Sequence, residues 1–246
     1  NEACLEATVL GPELKISENT LIAITGGDLL PTINGVSVEN NKPIFIKTES
    51  ILSFKGLKKG CRAYIAFAGG FLIPKVLESK STYIRGKIGG LNGRALIKGD
   101  IIKVGKKTNL SEKIINSLLK YKEKSGFIEA MWFVKNPFDY TTKNQVIRVF
   151  EDMQYSLADE ESLNNFFNKS YTVTSKSDRM GYRLEGSKIK FKEKIEMISG
   201  EVSLGTIQVP PDGNPIILLA DRQTAGGYPK FVHVIKADIP LLAQLP

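Results

Sequence analysis

The apolar runs of this chain are short and broken by glycine, proline and asparagine, and this punctuation constrains the fold more than any other feature. Thr20–Thr25, Pro43–Lys47, Ile51–Phe54 and Arg62–Phe67 are rich in β-branched and aromatic side chains. Runs of this length bury a face as strands, whereas a helix needs a longer periodic stretch. Gly26-Gly27, Asn34-Gly35, Gly69-Gly70 and Gly89-Gly90 supply positions where φ can be positive, and each predicts a turn. Short strands at this spacing from Leu5 to about Lys107 predict a barrel or a sandwich.

The pattern changes at residue 109. Ile114, Ile115, Leu118, Leu119 and Tyr121 recur at a helical period over 109–125, with Ser111 placed to cap the start. Lys120, Lys122 and Lys124 suit the negative end of the helix dipole. Up to Asn144 this region reads as a connector. A second β-rich block opens with Gln145–Phe150. A short helix is predicted near Asp159–Asn168, with Leu163, Phe166 and Phe167 on one face. Strands are predicted at Tyr171–Ser175, Thr206–Val209, Pro215–Ala220 and Lys230–Ile235, with a turn at Asp212-Gly213. The expected organisation is thus a β-rich half over 1–108, a partly helical connector over 109–144 and a second β-rich half over 145–246.

Composition narrows the classes. With 246 residues and 42% hydrophobic content, the chain is large enough for a sizeable core, and 9% aromatic content argues against disorder. No apolar run approaches the roughly 18 residues of a membrane-spanning helix, and no signal peptide is visible. Residues 1–125 carry 20 Lys+Arg against 11 Asp+Glu, and the remainder 14 against 15, so the net +8 is concentrated in the first half. Such a half attracts nucleic acid, anionic substrates or an acidic partner, or is a solvated lysine-rich surface. The lysines form no dense block and have no interleaved aromatics, which speaks against nucleic acid. Two cysteines and one histidine leave too few N/S ligands for a structural zinc site. His233 lies in a predicted strand and reads as a core or edge imidazole; no G-x-S-x-G elbow accompanies it. Acid–base chemistry would fall to Asp, Glu, Lys or Tyr.

Spacing separates the candidate motifs. Gly99–Thr108 looks like a Walker loop but has five residues between its glycines and Lys107 where Ser or Thr should bind magnesium. Gly89–Arg94 is either a backbone nest for an anion, with Arg94 adding charge, or a tight turn. The densest polar cluster spans Gly205–Pro215 and Asp221–Pro229. There Gln208, Asp221, Gln223 and Thr224 offer donors and acceptors to a small amide or carboxylate; the alternative is a pair of structural hairpins. Asp178-Arg179 and Asp221-Arg222 form a weak internal echo, in which each Asp could cap a turn and each Arg reach a carboxylate or anion.

These segments carry a resemblance. Ser79-Lys-Ser-Thr-Tyr83, Gly89–Arg94, Ser177–Gly186, Gly205–Gly213 and Asp221-Arg-Gln-Thr-Ala-Gly-Gly-Tyr-Pro229 resemble, in order and spacing, the KipA-like or allophanate hydrolase subunit 2 family, over Glu6 to Gln244. The family usually opens with further residues, including Gln-Asp-x-Gly-Arg and Gly-x-Pro-x-Ser-Gly-x-x-Asp segments that this sequence lacks, so its first barrel is expected to be incomplete. Glu78 and Lys80 replace the usual Gly and Arg. The resemblance implies a mainly β fold of two cyclophilin-like β-barrel domains with a few short helices. It implies a cytoplasmic hydrolase component in an ATP-dependent 5-oxoprolinase that opens 5-oxoproline to glutamate; because the inventory holds no nucleotide loop, metal cluster or nucleophile–His pair, the chain is expected to be silent alone. The implied partners are a KipI-like protein in a hetero-oligomer and a LamB/YcsF-like protein, with a lactam or amide substrate and no nucleic acid or membrane. ATP is the implied cofactor, used with the partners; no metal site and no Met-Lys-Met biotin attachment motif are expected on this chain. Catalytic roles are implied for Asp221, Gln223, Thr224 and Arg179. Substrate-binding roles are implied for Gln208, Asp212, Tyr228, Asp178, Arg94, Ser81, Thr82 and Tyr83. The alternatives are the carboxyltransferase component of a biotin-dependent urea carboxylase-like system, or a KipA-type regulator that antagonises a kinase inhibitor.

Overall fold

A computed structural model describes residues 2–138 and 145–245. It divides into two compact units, Asn1–Lys143 and Asn144–Leu245. The fold is mainly β with three short α-helices, as the sequence predicts.

The first unit contains β1 (Leu5–Thr8), β2 (Leu14–Lys15), β3 (Thr20–Asp28), β4 (Pro31–Ile33), β5 (Val36–Ser37), β6 (Pro43–Ile46), β7 (Ile51–Phe54), β8 (Lys59–Phe67), helix α1 (Asn109–Leu118) and β9 (Phe127–Glu129). They form two antiparallel sheets, ordered β1-β8-β3-β6-β9 and β2-β7-β4-β5. Ile22, Ile24, Ile44, Ile46 and Ile65 of the first sheet share a core with Ile33 and Leu52 of the second. Because side chains alternate along a strand, Leu21 and Phe45 point away from that core and meet Ile115 and Leu118 of α1. The five-stranded sheet is thus apolar on both faces, which explains why β3 and β6 read as continuous hydrophobic runs.

Several local expectations change. Asn34-Gly35 makes the predicted two-residue turn, both residues at positive φ, between β4 and β5. Gly26 (φ 87) instead sits inside β3, where the register with β8 shifts, so this glycine pair is a bulge and not a turn. Helix α1 is capped by Thr108, whose side chain accepts from the Ser111 N–H at 3.2 Å; Ser111 lies buried in the first turn. The helix stops at Leu118, so Lys120, Lys122 and Lys124 lie beyond its last turn, and Lys124 pairs with Glu129 instead. The stretch read as a connector contributes α1 and β9 to the first unit, with Phe127 fully buried.

Residues 68–108 leave β8 and return to α1 without a regular strand or helix. Leu72 N–H donates to the Lys103 carbonyl (2.9 Å) and Gly105 N–H to the Gly70 carbonyl (2.9 Å), so the two ends of this excursion are tied together. The ends lie so close that a Cβ at Gly69 would overlap the Gly105 carbonyl oxygen, and one at Gly105 would overlap that of Gly69. Gly69 also has φ 96. Gly69→Ala is therefore expected to lower stability by about 1–3 kcal/mol, read as a shift of the urea midpoint with unchanged slope. A Gly35→Ala control meets nothing within 4 Å at its own positive φ, so it isolates the conformational part of the effect.

The second unit contains β10 (Val149–Glu151), α2 (Glu160–Asn168), β11 (Thr172–Val173), β12 (Gly181–Glu185), β13 (Gly200–Glu201), β14 (Thr206–Gln208), β15 (Ile216–Leu218), β16 (Ala225–Gly226), β17 (Lys230–Val234) and α3 (Ile239–Leu242). Six strands form one antiparallel sheet, β10-β17-β14-β15-β12-β11, and β13 pairs with β16. Its core gathers Tyr182, Leu184, Ile207, Ile217, Phe231, Val232 and Val234. Asp159 caps α2, accepting from Ser162 N–H at 2.6 Å, and Phe166 packs edge-on against Phe231. The strand expected from Gln145 begins only at Val149. The Arg148 N–H donates to the buried Asp238 carboxylate (2.7 Å), and its guanidinium grips the same group (3.0 and 2.6 Å). The Pro210–Gly213 turn forms as predicted, with Gly213 N–H donating to the Pro210 carbonyl at 2.9 Å.

Candidate functional site

The residues singled out by sequence fall into two clusters, one in each unit. In the second unit, β12 pairs antiparallel with β15, Gly181 opposite Leu218. The chain entering β12 and the chain leaving β15 therefore run side by side. That register explains the echo of Asp-Arg pairs: both sit at the same end of one strand pair. Asp178 closes its own turn, its Oδ1 accepting from the N–H groups of Met180 (2.8 Å) and Gly181 (3.3 Å). Arg179 reaches across to Asp221, with Nε donating to Oδ2 at 3.0 Å and a terminal nitrogen to Oδ1 at 3.4 Å. Asp221 N–H also donates to the Arg179 carbonyl at 2.9 Å. Asp221 thus orients a guanidinium and does not cap a turn with its side chain. A carboxylate gripped by this fork is fixed in direction yet keeps lone pairs for a further donor.

Gln223, Thr224 and Tyr228 follow on the exposed rim. The Thr224 carbonyl accepts from Val202 N–H (3.0 Å), which holds the strand pair β13–β16 beneath them. Gln208 is buried, and its Nε2 donates to the Tyr228 carbonyl at 3.1 Å. A Cβ at Gly226 would stand 2.6 Å from that nitrogen, so the glycine lets the amide lie directly under the loop. The structure makes Gln208 a brace beneath the rim. Asp212 turns back on its own loop, accepting from Asn214 N–H (3.1 Å) and Nδ2 (3.0 Å); these two bonds hold its carboxyl below the usual range.

In the first unit, the Ser81–Tyr83 and Gly89–Arg94 segments, separate in sequence, form one folded turn. Tyr83 N–H donates to the Ile88 carbonyl at 2.8 Å, and Cβ atoms at Gly89 and Gly90 would overlap Ser81 and Thr82. Arg94, expected to attract an external anion, is held by the chain's own Asp100 in a two-pronged pair (2.7 and 2.8 Å), and Asp100 also accepts from Ile97 N–H at 2.8 Å. The Arg94 guanidinium, then the Ile97 N–H, lower the Asp100 pKa to about 2. A depressed carboxylate contributes order above its unfolded value and loses it as pH falls through the folded one. The turn is accordingly expected to hold from neutral pH to about 4 and to loosen towards pH 2. Amide hydrogen exchange at Ile97 should report this, and Asp100→Asn should abolish the transition.

One further grouping is not marked by the sequence. A shallow cleft in the second unit is lined by Asp152, Glu201, Ser203, Thr206 and Lys230, and beside it Thr206 Oγ1 lies 3.3 Å from His233 Nδ1. His233 stacks on Phe150 at 5.0 Å between ring centres. Phe150, His233 and Thr206 sit on β10, β17 and β14 and meet through that strand order, so no local pattern marks them. Arg222 buries its Nε without a hydrogen-bond partner among the described residues. Among the same residues, no group of three or more His, Cys, Asp or Glu is arranged to hold a metal ion. No helix among them is long and apolar enough to cross a membrane.

Comparison with known proteins places this geometry in a family. The chain is 31% identical over 251 residues to the C subunit of 5-oxoprolinase from Haemophilus influenzae, covering all of this chain and 72% of that one. It is 32% identical to the corresponding C subunit from Escherichia coli, covering all of this chain and 73% of the relative. Among solved structures, the K. lactis urea amidolyase superposes with a TM-score of 0.81 at 28% identity, over 99% of this chain but 15% of that much longer one. A family model described as carboxyltransferase domain, subdomain A and B, matches residues 1–246, and the chain belongs to that family.

Proposed function

We propose that the chain is the C-type component of an ATP-dependent 5-oxoprolinase, which opens 5-oxoproline to glutamate together with KipI-like and LamB/YcsF-like partners. The observation that carries this reading is similarity along the whole chain to two 5-oxoprolinase C subunits, covering 72% and 73% of their lengths. An amide carbon is a poor electrophile, and phosphorylating its oxygen at ATP's expense makes it reactive. In this reading Arg179, pre-aimed by Asp221, stabilises charge developing on that oxygen, and the exposed Gln223 and Thr224 orient the lactam. Gln208 keeps the rim in place from below. The catalytic set is completed by the partners, so the isolated chain is silent. The test is glutamate and ADP formation by the reconstituted complex supplied with 5-oxoproline and ATP. ADP release no greater than that of the partners without this chain rejects the assignment.

One observation favours a second reading, carboxyl transfer from biotin. The same backbone superposes on urea amidolyase at a TM-score of 0.81, and the family is described as a carboxyltransferase domain. If this reading holds, the chain with its KipI-like partner discharges a carboxylated biotin carrier onto urea or a related amide. A carboxylated carrier that remains charged in their presence excludes it.

A further inference from the structure

The excursion from Phe71 to Thr108 combines two properties that seldom coincide in a segment of one compact unit. Connections this long without secondary structure are uncommon and serve a purpose when they occur. The stretch carries 9 Lys+Arg against 2 Asp+Glu, a net +7 of the chain's +8. It also exposes large aliphatic side chains: Leu72, Leu77, Ile84, Ile88, Ile97 and Ile101, with Leu77 93% and Ile101 85% exposed. Its two ends are tied at Leu72–Lys103 and Gly70–Gly105, so these side chains belong to one closed excursion. Lys87, Lys98, Lys103, Lys106 and Lys107 are exposed and form no ion pair among the described residues. Exposed apolar side chains interspersed along one tied segment with charge of a single sign mark an interaction surface.

The chemistry selects the occupant. Nucleic acid would call for aromatic platforms, and among the exposed large hydrophobics of this stretch Tyr83 is the one aromatic residue. An anionic membrane would call for an amphipathic helix, and the excursion has none. A second copy would set +7 against +7. Exposed aliphatic side chains among lysines that form no ion pair with a described residue match a protein face that offers apolar and acidic groups together. We propose that residues 71–108 are the docking surface for a partner protein that presents acidic and apolar groups together; within the assembly proposed above, on which this inference rests, that partner is the adjoining KipI-like protein. The Arg94–Asp100 pair and the Gly69/Gly105 contact hold the excursion in shape before the partner arrives, which limits the ordering entropy of association.

The test titrates the full chain against the KipI-like protein, with activity assayed in parallel. Leu77→Ser combined with Ile101→Ser, and separately Lys98→Glu combined with Lys103→Glu, should each weaken Kd about ten-fold or more, and the charge variant should also flatten the dependence on salt. Unchanged melting temperatures confirm that these exposed substitutions leave the fold intact, and Ile198→Ser, exposed in the second unit, should bind like the parent. Carbodiimide cross-linking of the parent complex should join lysines of the excursion to carboxylates of the partner. Parent-like binding by both double variants, or cross-links confined to other lysines, overturns the inference while leaving the proposed function standing. Absence of binding by the parent chain overturns the proposed function and the inference with it. Tighter binding to phosphatidylserine vesicles or to single-stranded DNA, or salt-sensitive self-association that the variants abolish, assigns the surface to another occupant and also overturns it.

Discussion

Asp221→Asn in the reconstituted complex is expected to reduce turnover by about 100-fold or more, with the folded assembly retained. The substitution keeps the shape of the side chain and removes the charge that aims Arg179. An amide offers one acceptor and one donor where the guanidinium presents donors to both oxygens (3.0 and 3.4 Å), so the fork is broken. The pair is partly exposed, with Arg179 at 39% and Asp221 at 21% of side-chain area, and solvent screens it. Its loss should cost no more than about 1 kcal/mol of stability. A structural tie would therefore show a small fall in melting temperature and unchanged turnover. A site role shows the reverse, a large fall in turnover at nearly constant melting temperature. Arg179→Lys separates the two parts of the argument, since it retains charge but loses the planar fork. Full turnover in an Asp221→Asn complex of normal melting temperature would remove this loop from the catalytic assignment.

The largest effect on stability is expected at Phe127. Phe127→Ala removes a fully buried ring from the core shared by the two sheets of the first unit, and should cost about 3–5 kcal/mol. The exposed Phe133, a few residues further along, should tolerate the same change to within about 0.5 kcal/mol. Urea unfolding followed by tryptophan fluorescence suits the comparison, because Trp132 lies between the two positions. A cost at Phe127 below about 1 kcal/mol would mean that β9 is a dispensable edge strand. Phe127 also shows why the 109–144 stretch reads as a connector. β9 is three residues long, flanked by Ser125-Gly126 and by the exposed run Met131–Val134, so it has no alternating pattern of its own. Its place is set by pairing with β6, far earlier in the chain, with Glu129 opposite Ile44 and Phe127 opposite Ile46.

Features that depend on near neighbours are legible along the chain. The mainly β character, the strands around Thr20, Pro43, Ile51, Arg62 and Lys230, the Asn34-Gly35 and Pro210–Gly213 turns and the helix over Glu160–Asn168 all follow from side-chain branching, period and backbone freedom within a few residues. The motifs that carry the family resemblance are likewise contiguous. Where two local solutions compete, the pattern decides less: Ser111 and Thr108 are both hydroxyls able to cap α1, and Thr108 does so because the helix starts one residue after it. Which distant groups meet follows only from the pairing of strands. Arg179 finds Asp221 because β12 pairs with β15, Gln208 lies against Gly226 because β14 pairs with β17, the strand that follows β16, and His233 reaches Thr206 through the same β14–β17 register. Even Arg94, which by sequence is a free cation beside a glycine turn, is neutralised by Asp100 six residues on. One cause is common to the contacts carried by strands. A strand's own residues specify that it is a strand and which face it buries, but its neighbour is chosen by the combined burial of every sheet face at once, and that choice fixes the geometry of the site.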